Sequence, residues 1–197
     1  MGRTQAFERA IVVRAARDAF WESGYDGASV VDLERATGLN RSSLYHAFGS
    51  KRGLFDAAVT DYLEAVVRPR LRALVAGPPG PDALQVYFTG LLAAIETLPG
   101  ASPPYGCLLV NCAAGLAGHD DAAREVVDGY RAELAAALRQ SLAAATPEGV
   151  TTPAELDARA RVLESLSMSA MLLARVSPHE AVALLRTARE HVTTWCG

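Results

Sequence analysis

Apolar residues recur along this chain at three- and four-residue intervals, with no run of strand-like alternation and no internal repeat, so the pattern predicts helices throughout. Residues 5–23 form the first, with Ile11, Ala15, Ala19 and Phe20 on one stripe and Arg9, Arg14 and Arg17 mostly off it. Ser29 is a start signal for a second, backed three residues later by Asp32 as a weak capping box, and Val30, Leu33 and Ala36 mark its buried face. Gly38 ends it, since glycine tolerates the left-handed backbone of a sharp turn. Asn40 caps a third helix anchored by Leu44 and Phe48, which leaves Arg41, Ser42, Ser43, Tyr45 and His46 outside.

Ser50 caps a fourth helix from Lys51, on which Leu54, Phe55, Ala58, Val59, Tyr62 and Val66 keep helical spacing until Pro69 disrupts it. The run Gly77-Pro78-Pro79-Gly80-Pro81 is the clearest punctuation in the chain. Five further helices follow over about 82–98, 104–116, 120–145, 154–176 and 179–195, bounded by proline and glycine. The expectation is an all-α fold of about nine helices. Residues 1–50 would make a three-helix unit with a helix-turn-helix, and 51–197 a helical ligand-binding and dimerisation unit in which 51–76 is a connecting helix.

A two-turn helix with one anchored stripe and an outer face of Arg, Ser, Tyr and His suits a DNA major groove, although an ordinary solvated face has the same pattern. Charge changes the picture slightly. The net charge is -3 overall, yet residues 1–55 hold eight Lys or Arg against six acids, and the remainder eleven against sixteen. The positive part is the one that would meet phosphate. Composition, 50% hydrophobic and 21% charged, is that of a globular chain. No apolar leader or spanning stretch occurs, so the expectation is a cytoplasmic protein without a membrane partner. Three cysteines, at 107, 112 and 196, do not make a disulfide framework.

The segment from about Phe7 to Phe55 closely resembles the DNA-binding region of the tetracycline-repressor family. The resemblance rests on Phe20 or Trp21 leading into Gly24-Tyr25, on the Asp32-Leu33 to Gly38 turn, and on Leu44-Tyr45-His46-x-Phe48-x-Ser50-Lys51. It implies a regulator that binds a palindromic operator on double-stranded DNA as a homodimer, most simply a repressor, and is released by a small, mostly apolar effector. By that resemblance Ser29, Ser43, Tyr45, His46 and Lys51 touch phosphates, Arg41 and Ser42 face base edges, and Asn40 belongs to the same site. Ser42 stands where the family often carries glycine, which alters the groove contact there.

The helices over 154–176 and 179–195 carry more apolar surface than a monomer of this size buries, which predicts a four-helix dimer interface using Leu163, Leu166, Ala170, Leu173, Val182 and Leu185. The middle helices would enclose the effector, with Tyr87, Phe88, Leu91, Leu92, Ile95, Tyr105, Cys107, Leu108, Asn111, Met168, Met171 and Leu172 as candidate lining. Each apolar member has ordinary core packing as its alternative. Cys107 reads as the first turn of a helix, where free amides favour a thiolate, and the Gly-Cys-Leu sequence resembles a family subgroup with a cysteine that senses electrophiles or oxidants; the alternative is a small buried thiol. His119-Asp120-Asp121 is more simply a helix cap than a catalytic group, and neither a phosphate loop nor a zinc spacing occurs, so no enzyme activity, metal or cofactor is expected. The competing functional reading is a helical protein that sequesters a hydrophobic ligand or partner without binding DNA.

Overall fold

The structure, a computed structural model, describes residues 2–76, 81–96 and 106–197, with the side chains of 2–7 left aside. It is all α. The helices are α1 (Gly2–Gly27), α2 (Val30–Thr37), α3 (Arg41–Phe48), α4 (Lys51–Tyr62), α5 (Arg68–Ala76), α6 (Pro81–Glu96), α7 (Leu108–Ala114), α8 (Asp121–Ala145), α9 (Pro153–Leu173) and α10 (Pro178–Cys196). A short 3-10 turn, Leu116–Gly118, follows α7. The proline-rich run at 77–80 and the expected helix start at 104 lie outside the described residues.

Pro69 does not break the chain as its sequence position suggests. A π turn, Leu63–Val67, precedes it, and α4, the π turn and α5 run on as one rod. A widened turn is a common way to absorb a local disturbance of the hydrogen-bond ladder. Counted with that rod as one, nine helices stand among the described residues.

In α1 the buried stripe is Val13, Ala16 and Phe20, whereas Ile11 is 50% exposed. The phase is set by α4: Phe20 meets Phe55 edge-on at 5.1 Å, and Tyr25 meets the same ring at 5.0 Å. In α2 the anchor is Leu33, and Ala36, expected inside, is exposed. Helix α1 breaks at Gly24, whose φ of 74° is left-handed.

Helix α9 carries two apolar stripes on different sides. The inner one packs against α8 and α10, and it fully buries Leu163 and Ala170 at 0% exposure; Leu185 of α10 is buried as completely. These three are therefore not available to a dimer partner, contrary to the sequence expectation. The outer side bears Val162 at 39% exposed, half-buried Leu166 and Leu173, and Leu172 at 45%. Leu172 thus faces away from the interior in which it was expected to line a cavity. Val176, just past α9, is 80% exposed, and Val182 of α10 is half-buried.

Candidate DNA interface and effector cavity

Helix α3 is held by its inner residues and by its caps. Leu44 is 2% exposed, and Asn40 Oδ1 accepts from the Ser43 amide at 2.9 Å. Arg9 of α1 donates to the Ala47 carbonyl at 3.0 Å and lies 4.4 Å over the Phe48 ring. At the far end a Cβ on Gly53 would stand 2.1 Å from the Phe48 carbonyl oxygen, so only glycine lets α4 pass this close to the end of α3. The sequence reading missed Gly53, because glycine inside an apolar helical pattern announces nothing about what lies against it.

What remains outside is polar. Arg41, Ser42, Ser43 and His46 are exposed and Tyr45 is half-buried. The Arg41 guanidinium sits 5.2 Å over the Tyr45 ring. Ser29, exposed at the start of α2, closes a capping box with Asp32, whose carboxyl is held below its ordinary value first by the Ser29 hydroxyl and then by the Ser29 amide. Lys51 opens α4 with Nζ 4.6 Å over the Tyr25 ring. Of the eight candidates, Asn40 has its side-chain oxygen engaged by the cap, and the Ser29 hydroxyl is engaged by Asp32.

The second site is a cavity of about 20 Å³ deep between α4, the π turn, α5, α6, α8 and α9. That is room for about one water. Of the expected lining residues, Tyr87, Leu91, Cys107 and Met171 face it. Phe88, Leu92 and Ile95 are ordinary core, Met168 packs half-buried against that core, and Tyr105 lies outside the described residues. Leu108 and Asn111 line a separate cleft near the end of α1.

The sequence reading did not assign Tyr62, Arg70, Tyr130 and Ser167 to this cavity, although they supply most of its polarity. Tyr62, Tyr87 and Tyr130 line it together with Cys107 and Ser167; burial is the leading cause that pushes all three phenols above their ordinary value. The available signal was three tyrosines on three separate apolar helices, since a buried hydroxyl needs a partner. Cys107 itself is 3% exposed and immediately precedes α7 rather than sitting inside its first turn.

Two contacts tie α4 and α1 to the body of the chain. Arg52 at the start of α4 pairs with Asp56 at 2.7 Å and with Asp120, the cap of α8. The Asp120 carboxyl is held below its ordinary range by Arg52 and then by the Ala123 amide. Trp21 Nε1 donates to the Gly106 carbonyl at 3.2 Å, beside Cys107.

A model of the bacterial regulatory proteins of the tetR family matches residues 12–58. The uncharacterized HTH-type transcriptional regulator YezE of Bacillus subtilis is 32% identical over 184 residues, 90% of this chain and 91% of its own. The chain belongs to the tetR family. A solved tetR-family regulator, a cysteine mutant of CifR complexed with a 26-base-pair double-strand operator DNA, superposes with a TM-score of 0.72 at 26% identity, covering 92% of this chain and 94% of that one. The Escherichia coli HTH-type repressor ComR is 31% identical over 111 residues, 56% of this chain and 51% of its own. This tetR-family protein is a DNA-binding transcriptional regulator. Among its described residues no helix is long and apolar enough to cross a membrane.

Proposed function

We propose that the protein is a homodimeric repressor in the cytoplasm that binds a palindromic operator and is released when a small electrophile reaches Cys107. The carrying observation is the outward face of α3, where Arg41, Ser42, Tyr45 and His46 project from a helix clamped on its other side. Arg41 and Ser42 would read base edges; Ser29, Ser43, Tyr45, His46 and Lys51 would hold phosphates, and Asn40 would fix the start of α3. Residues 1–50 would be the reading head and 51–197 the sensing and pairing part, joined by the rod over 51–76.

Pairing would use the outer side of α9, through Val162, Leu166, Leu173 and Val176, with Leu172 and Val182 beside them. A stripe on which Val162, Leu172 and Val176 are exposed and Leu166 and Leu173 are only half-buried supports this choice. The two heads would then meet half-sites about 34 Å apart, one turn of DNA.

The effector part rests on the cavity around Cys107. Its small volume means that a drug-sized molecule, which needs at least about 300 Å³, enters only if the surrounding helices separate. Tyr62, which lines the cavity with Cys107, belongs to the rod that begins against α3, so that separation would tilt the head. Replacing the thiol should therefore uncouple sensing from binding. Cys107→Ser is expected to keep operator affinity and to lose release by N-ethylmaleimide; release that persists in the variant would contradict the cysteine's role. The operator itself is tested by footprinting on the DNA immediately upstream of the gene, where protection of two inverted half-sites about one turn apart is expected.

A further inference from the structure

A second cleft, sharing no lining residue with the Cys107 cavity, opens where the end of α1 meets α7. The left-handed turn at Gly24 swings Tyr25, Asp26 and Gly27 off the axis of α1 and leaves a space of about 180 Å³ against Phe55 of α4 and the side of α7. That is slightly more than the roughly 150 Å³ that admits benzene in an engineered cavity. Phe55, Leu108, Leu116 and Cys112 give it apolar walls, and Asn111 adds an amide.

Two charges of opposite sign stand at this cleft: the Lys51 ammonium, 4.6 Å over the ring of the lining residue Tyr25, and the Asp26 carboxylate. Asp26 is the one charged side chain among the described lining residues, and it has no ion-pair partner among the described residues. It follows the break at Gly24, beyond the carbonyls that end the straight run of α1, where that run's dipole is negative. A cation already answers that potential nearby: the Arg175 guanidinium, from just past α9, donates to the carbonyls of Trp21 and Glu22 at 3.4 and 2.5 Å. The same end of α1 thus draws one positive group from the protein, and the cleft beside it offers a free carboxylate over an apolar, ring-sized space.

We propose that this cleft binds a small aromatic amine, with the ring between Phe55, Leu108 and Leu116 and the ammonium on Asp26. The occupant would touch α1, α4 and α7 together, and so would bridge the DNA-reading end of the molecule to the rest.

Calorimetric titration of the full-length protein with 2-phenylethylamine tests this, with neutral 2-phenylethanol as the second probe. One saturable site per chain is expected for the amine, and the alcohol should bind at least about tenfold more weakly, the size of one modest charge interaction. Asp26→Asn, at an exposed position, should cost the amine about the same tenfold factor. Leu116→Trp should abolish binding by filling the space, while Cys107→Ser should leave it unchanged. No saturable binding to the wild-type protein, equal binding of amine and alcohol, or unchanged amine affinity in Asp26→Asn would each overturn the assignment.

Discussion

Arg41 and Tyr45 show how two neighbouring residues can divide one task. The guanidinium rests 5.2 Å above the Tyr45 ring, so the ring holds the arginine against the outer face of α3 while the hydroxyl remains free to reach a phosphate. Tyr45→Phe keeps the ring and removes only the hydroxyl. It should weaken binding to all duplexes alike, whereas Arg41→Ala should lose about 1–3 kcal/mol of preference at a single operator position. A binding screen over operator variants separates the two, and the reverse pattern would reassign the roles. The buried phenols of Tyr62 and Tyr130 give a second residue-scale prediction. Burial raises both above their ordinary value of 10.0. The folded chain therefore holds protons that the unfolded chain releases, so their contribution to stability is complete below pH 10 and is lost as pH rises through the folded values. Each can steepen the alkaline decline by up to about 1.4 kcal/mol per pH unit. Thermal midpoints measured across pH 10 should fall less steeply in Tyr62→Phe than in the wild type.

At the scale of elements, local chemistry was the most legible part of the sequence. Ser29, Asn40, Ser50 and Asp120 all cap the helices their sequence positions suggest, and Gly38 is left-handed at φ 70°. These signals act within one turn, so they can be read from neighbours alone. Facing is different, because it depends on what arrives from elsewhere. Ile11 and Ala36 lie on plausible stripes, yet the aromatic pair Phe20 and Phe55 sets another phase for α1, and Leu33 alone anchors α2. The two-sided apolar character of α9 was visible, but which stripe faced inward was not: Leu163 and Ala170 went to the centre of the chain's own core and Leu166 and Leu173 to its half-buried edge. Tyr62 and Tyr130 likewise meet Cys107 only through the fold. The close passage at Gly53 carries the element-scale prediction. Gly53→Ala would press a methyl into the Phe48 carbonyl, so it should displace α3 and reduce operator affinity by at least about tenfold while α6 to α10 stay folded. Circular dichroism beside an operator titration checks both halves.

At the scale of the molecule, polar ties join the end that carries α3 to the body: Arg17 to Asp61 at 2.8 Å, Arg52 to Asp120, Trp21 to the Gly106 carbonyl, and Arg175 to the Trp21 and Glu22 carbonyls. The first anchors α1 to the rod, the second anchors the rod to α8, and the third reaches the residue before Cys107. Gly106 sits tightly on α9, since a Cβ there would stand 2.1 Å from the Met171 carbonyl oxygen. The proposed dimer belongs to this scale too. Leu166→Glu combined with Val176→Glu should convert the protein to monomers in analytical ultracentrifugation and lower operator affinity, because each head alone holds one half-site. Dimers that persist in this variant would move the interface elsewhere.

The most direct test of the account is a fluorescence-anisotropy titration of the purified protein against the DNA upstream of its own gene and against a scrambled duplex, at two salt concentrations. Tight binding to the upstream DNA is expected, at least about a thousandfold over the scramble, with an affinity that falls steeply as salt rises. Equal, weak binding to both duplexes would contradict the proposal that this protein represses from an operator beside its own gene.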